Sequence, residues 1–380
     1  MQIDFFNPRS IICFVAILQG LIFAGLLLLR FFRNRQKADL WLAILLFVLC
    51  SALITPFIGF ANVYDLNQWL TYFPFSIAYS YGVLVWFYTI NLTDSKRRFE
   101  PKDLLFFVPT IIYLAIRFTF FAQSLEWKDW FDDTYGKAWN TFVFVTEFFW
   151  NVAFLYFSIK HYLKYRAWLN ENYSDTEKIK FGWLRNFLYL FTAVLILGAF
   201  FDFTNSFIFK LSYIQFFYFE LILAFVTYYL AVAGYLRSKT IELNFTEKEA
   251  EEIEERKSLL SEKELEKLKI KLENLMQNEK LYLEPTLTLA DLSKNLGVNS
   301  AVLSYAINNG FGKNFNDFIN EFRIAEVKEK LINADDSTLL GVAFDCGFNS
   351  KATFNRAFKK FTGVSPKEFQ ENLACALKTK

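Results

Sequence analysis

The chain has 380 residues, 54% of them hydrophobic and 48 of them Phe, which is too apolar for one solvated core. A net charge of +2 is too small to advertise nucleic-acid binding by itself, so any such function must rest on motif and local charge. The four cysteines make no disulfide framework: Cys13 and Cys50 lie in apolar runs, Cys346 in a helix pattern and Cys375 in the tail, and all four read as unpaired thiols.

The apolar residues are segregated into stretches of about twenty up to Tyr235, after which they stop abruptly. A helix needs roughly 20 apolar residues, at about 1.5 Å each, to cross about 30 Å of hydrocarbon. Seven stretches reach that length, over residues 11–29, 40–60, 70–92, 104–121, 141–160, 187–207 and 213–235. The first is not read as a signal peptide, because its basic flank (Arg30, Arg33, Arg35, Lys37) follows the apolar run and no small-residue cleavage site is present.

Basic loops stay cytoplasmic, so their distribution gives orientation. One set of loops holds those four residues, then Lys96, Arg97, Arg98 and Lys102, then Lys160, Lys164, Arg166, Lys178, Lys180 and Arg185; the opposite set holds only Arg9, Lys128, Lys137 and Lys210. The expectation is a multi-pass protein of the bacterial inner membrane with its N-terminus outside and everything after Arg237 in the cytoplasm.

Charged side chains inside spans cost about 2.5 to 3.5 kcal/mol on insertion scales, and four stand out: Arg117, Glu147, Asp202 and Glu220. Counted from the outer helix ends at 1.5 Å per residue, all four fall about 6 to 11 Å deep. They are expected to form a polar cluster open to the outer side, with Arg117 as counter-charge, serving either as a ligand pocket or as a structural ion-pair network. His161, the only histidine, sits at the inner end of the fifth span and reads as an interface residue.

The expected domains are a transmembrane sensor or anchor over 1–240, a charged helical linker over 241–278 and a DNA-binding domain over 279–380. In the linker, Ser261 and Glu264 form a capping-box pattern, and Leu265, Leu268, Leu272 and Leu275 make a seam of two heptads. The seam is expected to pack on the domain that follows, with dimerisation as the alternative.

Two units of one design then repeat about fifty residues apart. The first places Leu289, Leu292 and Leu296 on one helical face, a turn at Gly297, Asn299 as N-cap, and Leu303 and Ile307 inward. The second has Ala343 and Phe344, a turn at Gly347, Ser350 as N-cap, and Phe354 and Phe358 inward. Glycine supplies the left-handed conformation that ends a helix, and Asn or Ser caps the next, which is a helix-turn-helix grammar. A helix pattern over 314–332 joins the two.

These residues closely resemble the AraC/XylS family of transcription regulators over roughly 279–370, most specifically through Gly347, Phe348, Phe354, Phe358, Lys359, Gly363 and Pro366. With the apolar region, the chain resembles the membrane-anchored, multi-span members of that family. The resemblance implies a seven-helix domain whose two recognition helices, here 300–308 and 351–361, enter successive major-groove segments of double-stranded DNA.

On the second helix the outward set is Lys351, Asn355, Arg356, Lys359 and Lys360, with no acid among them; Arg and Asn suit base edges, and Lys359 and Lys360 suit phosphates. On the first it is Ser300, Ala301, Ser304, Tyr305 and Asn308. Tyr305 stands where the family often has Arg, which leaves that helix without a cation and favours a homodimer. No HExxH, GxSxG, Walker or Gly-rich nucleotide fingerprint is present, so no enzyme, cofactor or metal site is expected. The overall expectation is an all-α chain, a polytopic transmembrane bundle followed by a helical DNA-binding domain, that couples an unknown small-molecule or membrane signal to DNA binding. The alternatives are a transporter- or channel-like module with an attached readout domain, and a passive tether released by proteolysis.

Overall fold

A computed structural model of the chain describes residues 3–94, 96–176, 182–236, 261–333 and 338–378, and among them every regular element is helical. The chain divides into two compact units, one of residues 1–162 and 182–244, the other of residues 163–181 and 245–380. The expected boundary near residue 240 lies outside the described residues.

The first unit contains α1 (Pro8–Asn34), α2 (Lys37–Phe60), α3 (Val63–Leu66), α4 (Tyr81–Thr93), α5 (Val108–Phe121), α6 (Leu125–Phe131), most of α7 (Lys137–Asn172), α8 (Gly182–Phe203) and α9 (Tyr213–Leu236). Six helices among the described residues are long and apolar enough to cross a membrane. The outward faces are apolar too: Phe142, Phe149, Phe200 and Phe225 are each well over half exposed. Large apolar side chains exposed in such number suit hydrocarbon rather than water.

The expected third span, 70–92, is not one of the six. It is α-helical only from Tyr81, for 13 residues, and α4 is almost entirely buried. Pro74 explains the break, because it has no N–H to donate and pushes Phe73 out of the helical region. Tyr72 just before it is left-handed (φ +71°). The freed end of α4 is held by Asn151 of α7, whose Oδ1 accepts from the Gly82 N–H at 2.7 Å while its Nδ2 donates to the carbonyls of Ala78 and Glu147. At the other end of α4, Thr93 Oγ1 lies 2.7 Å from His161 Nε2, which places His161 at an interface.

Arg30 ties three helices together. Its guanidinium pairs with the buried Asp39 of α2 (2.7 and 2.8 Å) and donates to the carbonyls of Gly234 and Tyr235 at the end of α9.

The second unit holds α10 (Glu262–Glu279), α11 (Leu289–Leu296), α12 (Ser300–Phe311), α13 (Phe315–Asn333), α14 (Leu339–Asp345), α15 (Lys351–Thr362) and α16 (Pro366–Lys378). α10 opens on the Ser261–Glu264 capping box and buries Leu268, Leu272 and Met276 in the same core as Leu292, Leu303 and Ile307. The leucine seam therefore packs on the domain that follows it. The two helix-turn-helix pairs are α11–α12 and α14–α15, each with a left-handed glycine in its turn (Gly297, φ +69°; Gly347, φ +87°) and with Asn299 and Ser350 as N-caps. α13 bridges two cores: Phe315, Phe318 and Ile319 belong to the first, and Ile324, Val327 and Leu331 to the second.

The short helix α14 turns Val342, Ala343 and Cys346 inward, and Phe344 is exposed.

Candidate DNA interface and a cavity among the apolar helices

α15 is amphipathic for a simple reason. Thr353, Phe354, Ala357 and Phe358 recur at helical spacing and are buried, so Lys351, Asn355, Arg356, Lys359 and Lys360 fall on the outer face, and all five are exposed. Lys360 is engaged within the protein, its Nζ donating to Asp317 of α13 at 2.6 Å. A phosphate contact by Lys360 must displace that carboxylate.

α12 differs. It buries Leu303, Ser304, Ala306 and Ile307, a face wide enough to meet α10, α11 and α13 at once. Ser304, expected outside, is thus inside, its Oγ accepting from Asn308 Nδ2 at 3.4 Å. Ser300 exchanges a hydrogen bond with Ser293 at 2.8 Å. Ser300, Ala301, Tyr305 and Asn308 are partly exposed.

A segment from outside the helix-turn-helix pairs completes this unit. Residues 163–176, the last turns of α7 and the four residues after it, belong to the second unit rather than the first. Tyr165 and Leu169 are fully buried. Ser174 donates from both N and Oγ to the carbonyl of Leu287 (3.3 and 2.6 Å), next to the N-cap of α11. Asn316 of α13 donates to the carbonyls of Tyr173 and Ser174 at 3.1 and 2.7 Å. Thr353 of α15 donates to Asp175 Oδ1 at 3.3 Å.

Arg323 lies at the centre of these contacts, fully buried where the two cores of α13 meet. Its Nε donates to the Tyr282 carbonyl (2.6 Å), and its Nη2 to the Glu284 carbonyl (2.8 Å) and Ser174 Oγ (3.2 Å). Burial pulls the guanidinium below its ordinary range, while the Asp175 and Glu284 carboxylates oppose that shift. The turn of the second pair is fitted around this group. A Cβ on Gly347 would come within 2.7 Å of the Tyr282 and Leu283 carbonyls, so glycine is required by space as well as by its positive φ.

The family model described as "Helix-turn-helix domain" matches residues 292–372, which span α11 to α16. Residues 292–372 are an AraC-type helix-turn-helix domain. Two uncharacterized HTH-type transcriptional regulators of Staphylococcus aureus, from strains COL and MSSA476, are each 34% identical to this chain over 90 residues, 24% of this chain and 12% of theirs. The chain thus spans about an eighth of the length of these relatives. A solved protein of unknown function from Listeria innocua is 26% identical, over 27% of this chain and 94% of that one, with a TM-score of 0.24.

Three features of the AraC-type domain were not anticipated in the sequence: the docked segment 173–176, the buried Arg323 and the Lys360–Asp317 pair. Arg323 lies within the 314–332 helix pattern, where a charged residue reads as solvated. Arg356 lines a cleft of about 240 Å³ together with Asn170 and Thr176 from the docked segment.

The four ionisable residues of the apolar helices separate into two groups. Glu147 of α7, Asp202 of α8 and Glu220 of α9 line one cavity of about 330 Å³, joined by Ser76, Ala78 and Tyr81 from the break before α4. Arg117 is not among its lining residues. Its guanidinium lies over the ring of Tyr72, 4.8 Å from the centroid, and the Tyr72 hydroxyl bonds Asp132. The left-handed turn at Tyr72 brings that ring to α5, and the expected counter-charge for the carboxylates is used there instead.

Proposed function

We propose that the chain is a membrane-bound one-component transcription regulator, in which a signal received among the apolar helices changes DNA binding by the AraC-type domain. The observation that carries this reading is the course of α7. At about 1.5 Å per residue its 36 residues extend about 54 Å, well beyond the roughly 30 Å of a bilayer core. One end carries Glu147 into the cavity, and the other is buried in the DNA-binding unit and leads directly to Ser174. Within the DNA-binding unit, the segment that continues α7 touches Leu287 beside α11, Arg323 and, through Asp175, α15, so a change in this segment would be felt at all three. The domain is taken to lie in the cytoplasm, where DNA is, and an N-terminus outside then requires the 70–92 stretch to cross in addition to the six long helices.

Genome-wide crosslinking of the intact chain tests the proposal. Discrete sites occupied by full-length, membrane-sedimenting protein are expected; occupancy by a shortened fragment alone would favour a released tether, and no occupancy would sink the reading. Single cysteines at Asp133 and Lys294 check orientation, with Asp133 labelled from outside and Lys294 only after permeabilisation. The break before α4, beside the carboxylates of the cavity, favours a second, transporter-like reading, since interrupted helices are common at transport sites. Solute uptake by reconstituted protein separates the two.

A further inference from the structure

We infer that the cavity among α7, α8 and α9 is a binding site for an organic ammonium with an apolar body. This names the ligand class for the signal site and rests on the reading of that cavity as the sensor. The argument begins with charge. Three carboxylates, one from each of three helices, line a single space, and among the described residues no Lys, Arg or His lines it with them. Arg117, the nearest candidate from the sequence, is held over Tyr72. Ionised acidic groups in so apolar a setting are costly without a counter-charge, and no described residue places one in the cavity.

A second, independent observation points to an occupant. Glu220 Oε2 is shielded from solvent and has no hydrogen-bond partner among the described residues, although a buried carboxylate oxygen ordinarily finds one. Glu220 lines the cavity, and rotation of its carboxyl group would turn the unpaired oxygen toward an N–H or an onium group there.

The walls choose between kinds of cation. Calcium demands six to eight oxygens and magnesium near-octahedral geometry. The three carboxylates do not come together as a group that could hold a metal ion; among the described residues no such group of three exists. What surrounds them is aromatic: Phe144, Phe148, Phe191, Phe201, Phe216 and Phe219. Phenyl faces attract ammonium groups and tolerate the apolar remainder of the molecule. The volume of about 330 Å³ lies at the lower end of small-molecule sites, roughly 300 to 1,000 Å³. Such a ligand also bridges the helices, so its arrival draws α7 toward α8 and α9, the movement that the regulator reading requires.

The test uses the full chain in nanodiscs of zwitterionic lipid, with benzyltrimethylammonium as probe and its uncharged carbon isostere, neopentylbenzene, as control. Carbodiimide modification of buried carboxyls in wild-type protein is mapped by mass spectrometry. The probe should slow modification of Glu220 saturably while the isostere does not, and Glu220→Gln should weaken probe binding by about tenfold or more. Equal protection by the isostere, or none by either compound, overturns the inference and leaves an apolar space filled by lipid. If Glu220→Gln fails to accumulate, the wild-type protection experiment still decides. The two readings fail separately. Intact chains found on DNA, with no protection by the probe, sink only the ammonium class, whereas loss of intact-chain occupancy sinks the regulator whatever the cavity binds.

Discussion

The two helix-turn-helix pairs share one scaffold and differ in what covers it. In both, a left-handed glycine ends the first helix and an Asn or Ser side chain caps the second. α12 is embraced by the linker helix α10, carries no cation and buries even Ser304. α15 keeps five polar or basic side chains exposed and is touched instead by Asp175 of the segment that continues α7. Scaffold repetition therefore says where the two candidate recognition helices lie, while cover and charge suggest the division we propose, in which α12 fits and spaces and α15 reads. In the proposed regulator, a signal arriving through α7 would meet the second pair at Asp175.

The largest effect expected from this division is at Arg323. Arg323→Met removes hydrogen bonds to the Glu284 carbonyl, to Ser174 and to the buried Tyr282 carbonyl, and a buried carbonyl left unsatisfied costs about 1 to 3 kcal/mol. Hydrogen exchange on the full chain should show lost protection at 282–284 and 346–348, with α12 much less affected. Uniform loss across both pairs would mean that the second unit has a single cooperative core and that the contrast between the pairs is superficial.

DNA binding sharpens the same contrast. Arg356→Ala should cost about 1 to 3 kcal/mol and relax preference at one base step, while Tyr305→Ala costs less and leaves preference intact. Binding titrations over a set of single-base variants of an operator recovered by crosslinking decide it. If Tyr305→Ala is the more damaging change, the roles of the two helices are reversed.

How much of this was legible in the sequence follows from the range of the interactions. Turn glycines, caps and helix faces are set by residues within four or five positions of one another, so both pairs, the α10 capping box and the exposed set on α15 could be read directly. What joins distant segments could not. Ser174 meets Arg323 across 149 positions and Thr353 meets Asp175 across 178, and no local pattern marks either. The 70–92 stretch misled because composition alone suffices for a span; Pro74 was the local signal that it breaks. Equal depth brought Glu147, Asp202 and Glu220 to one cavity but said nothing of direction, and direction is what separates Arg117 from them.

A smaller effect concerns pH and the α10 side of the comparison. Lys280, just beyond α10, donates to both oxygens of Glu326 on α13 (3.1 and 2.9 Å), and Tyr282 Oη donates to Oε2 at 2.8 Å. Burial pushes the Glu326 carboxyl up, but the bonds from Lys280 and Tyr282 and the charge of Lys280 outweigh it, and the net shift is downward. A depressed carboxylate contributes stability that is present above its unfolded pKa, about 4.3, and is lost as pH falls through the folded value. Protection of α13 should therefore decline below about pH 4.3, and Glu326→Gln should flatten that decline. An unchanged profile in the variant would assign the acid sensitivity elsewhere.

The smallest effect is the most specific to α15. Lys360 and Asp317 form a half-exposed pair, the kind worth no more than about 1 kcal/mol, so the pair does little for the fold. It matters to binding, because a phosphate must compete with the Asp317 carboxylate for the same ammonium. Asp317→Asn removes the competitor without changing shape, and binding to all DNA sequences should tighten by up to about fivefold with a salt slope steeper by up to about one. Lys360→Ala should do the opposite, weakening all sequences alike. Titrations at several salt concentrations read both quantities at once. If Asp317→Asn instead weakens binding while Lys360→Ala leaves the salt slope unchanged, Lys360 serves to hold α15 on α13 rather than to meet the backbone, and the reading face of α15 is one cation smaller than its sequence suggests.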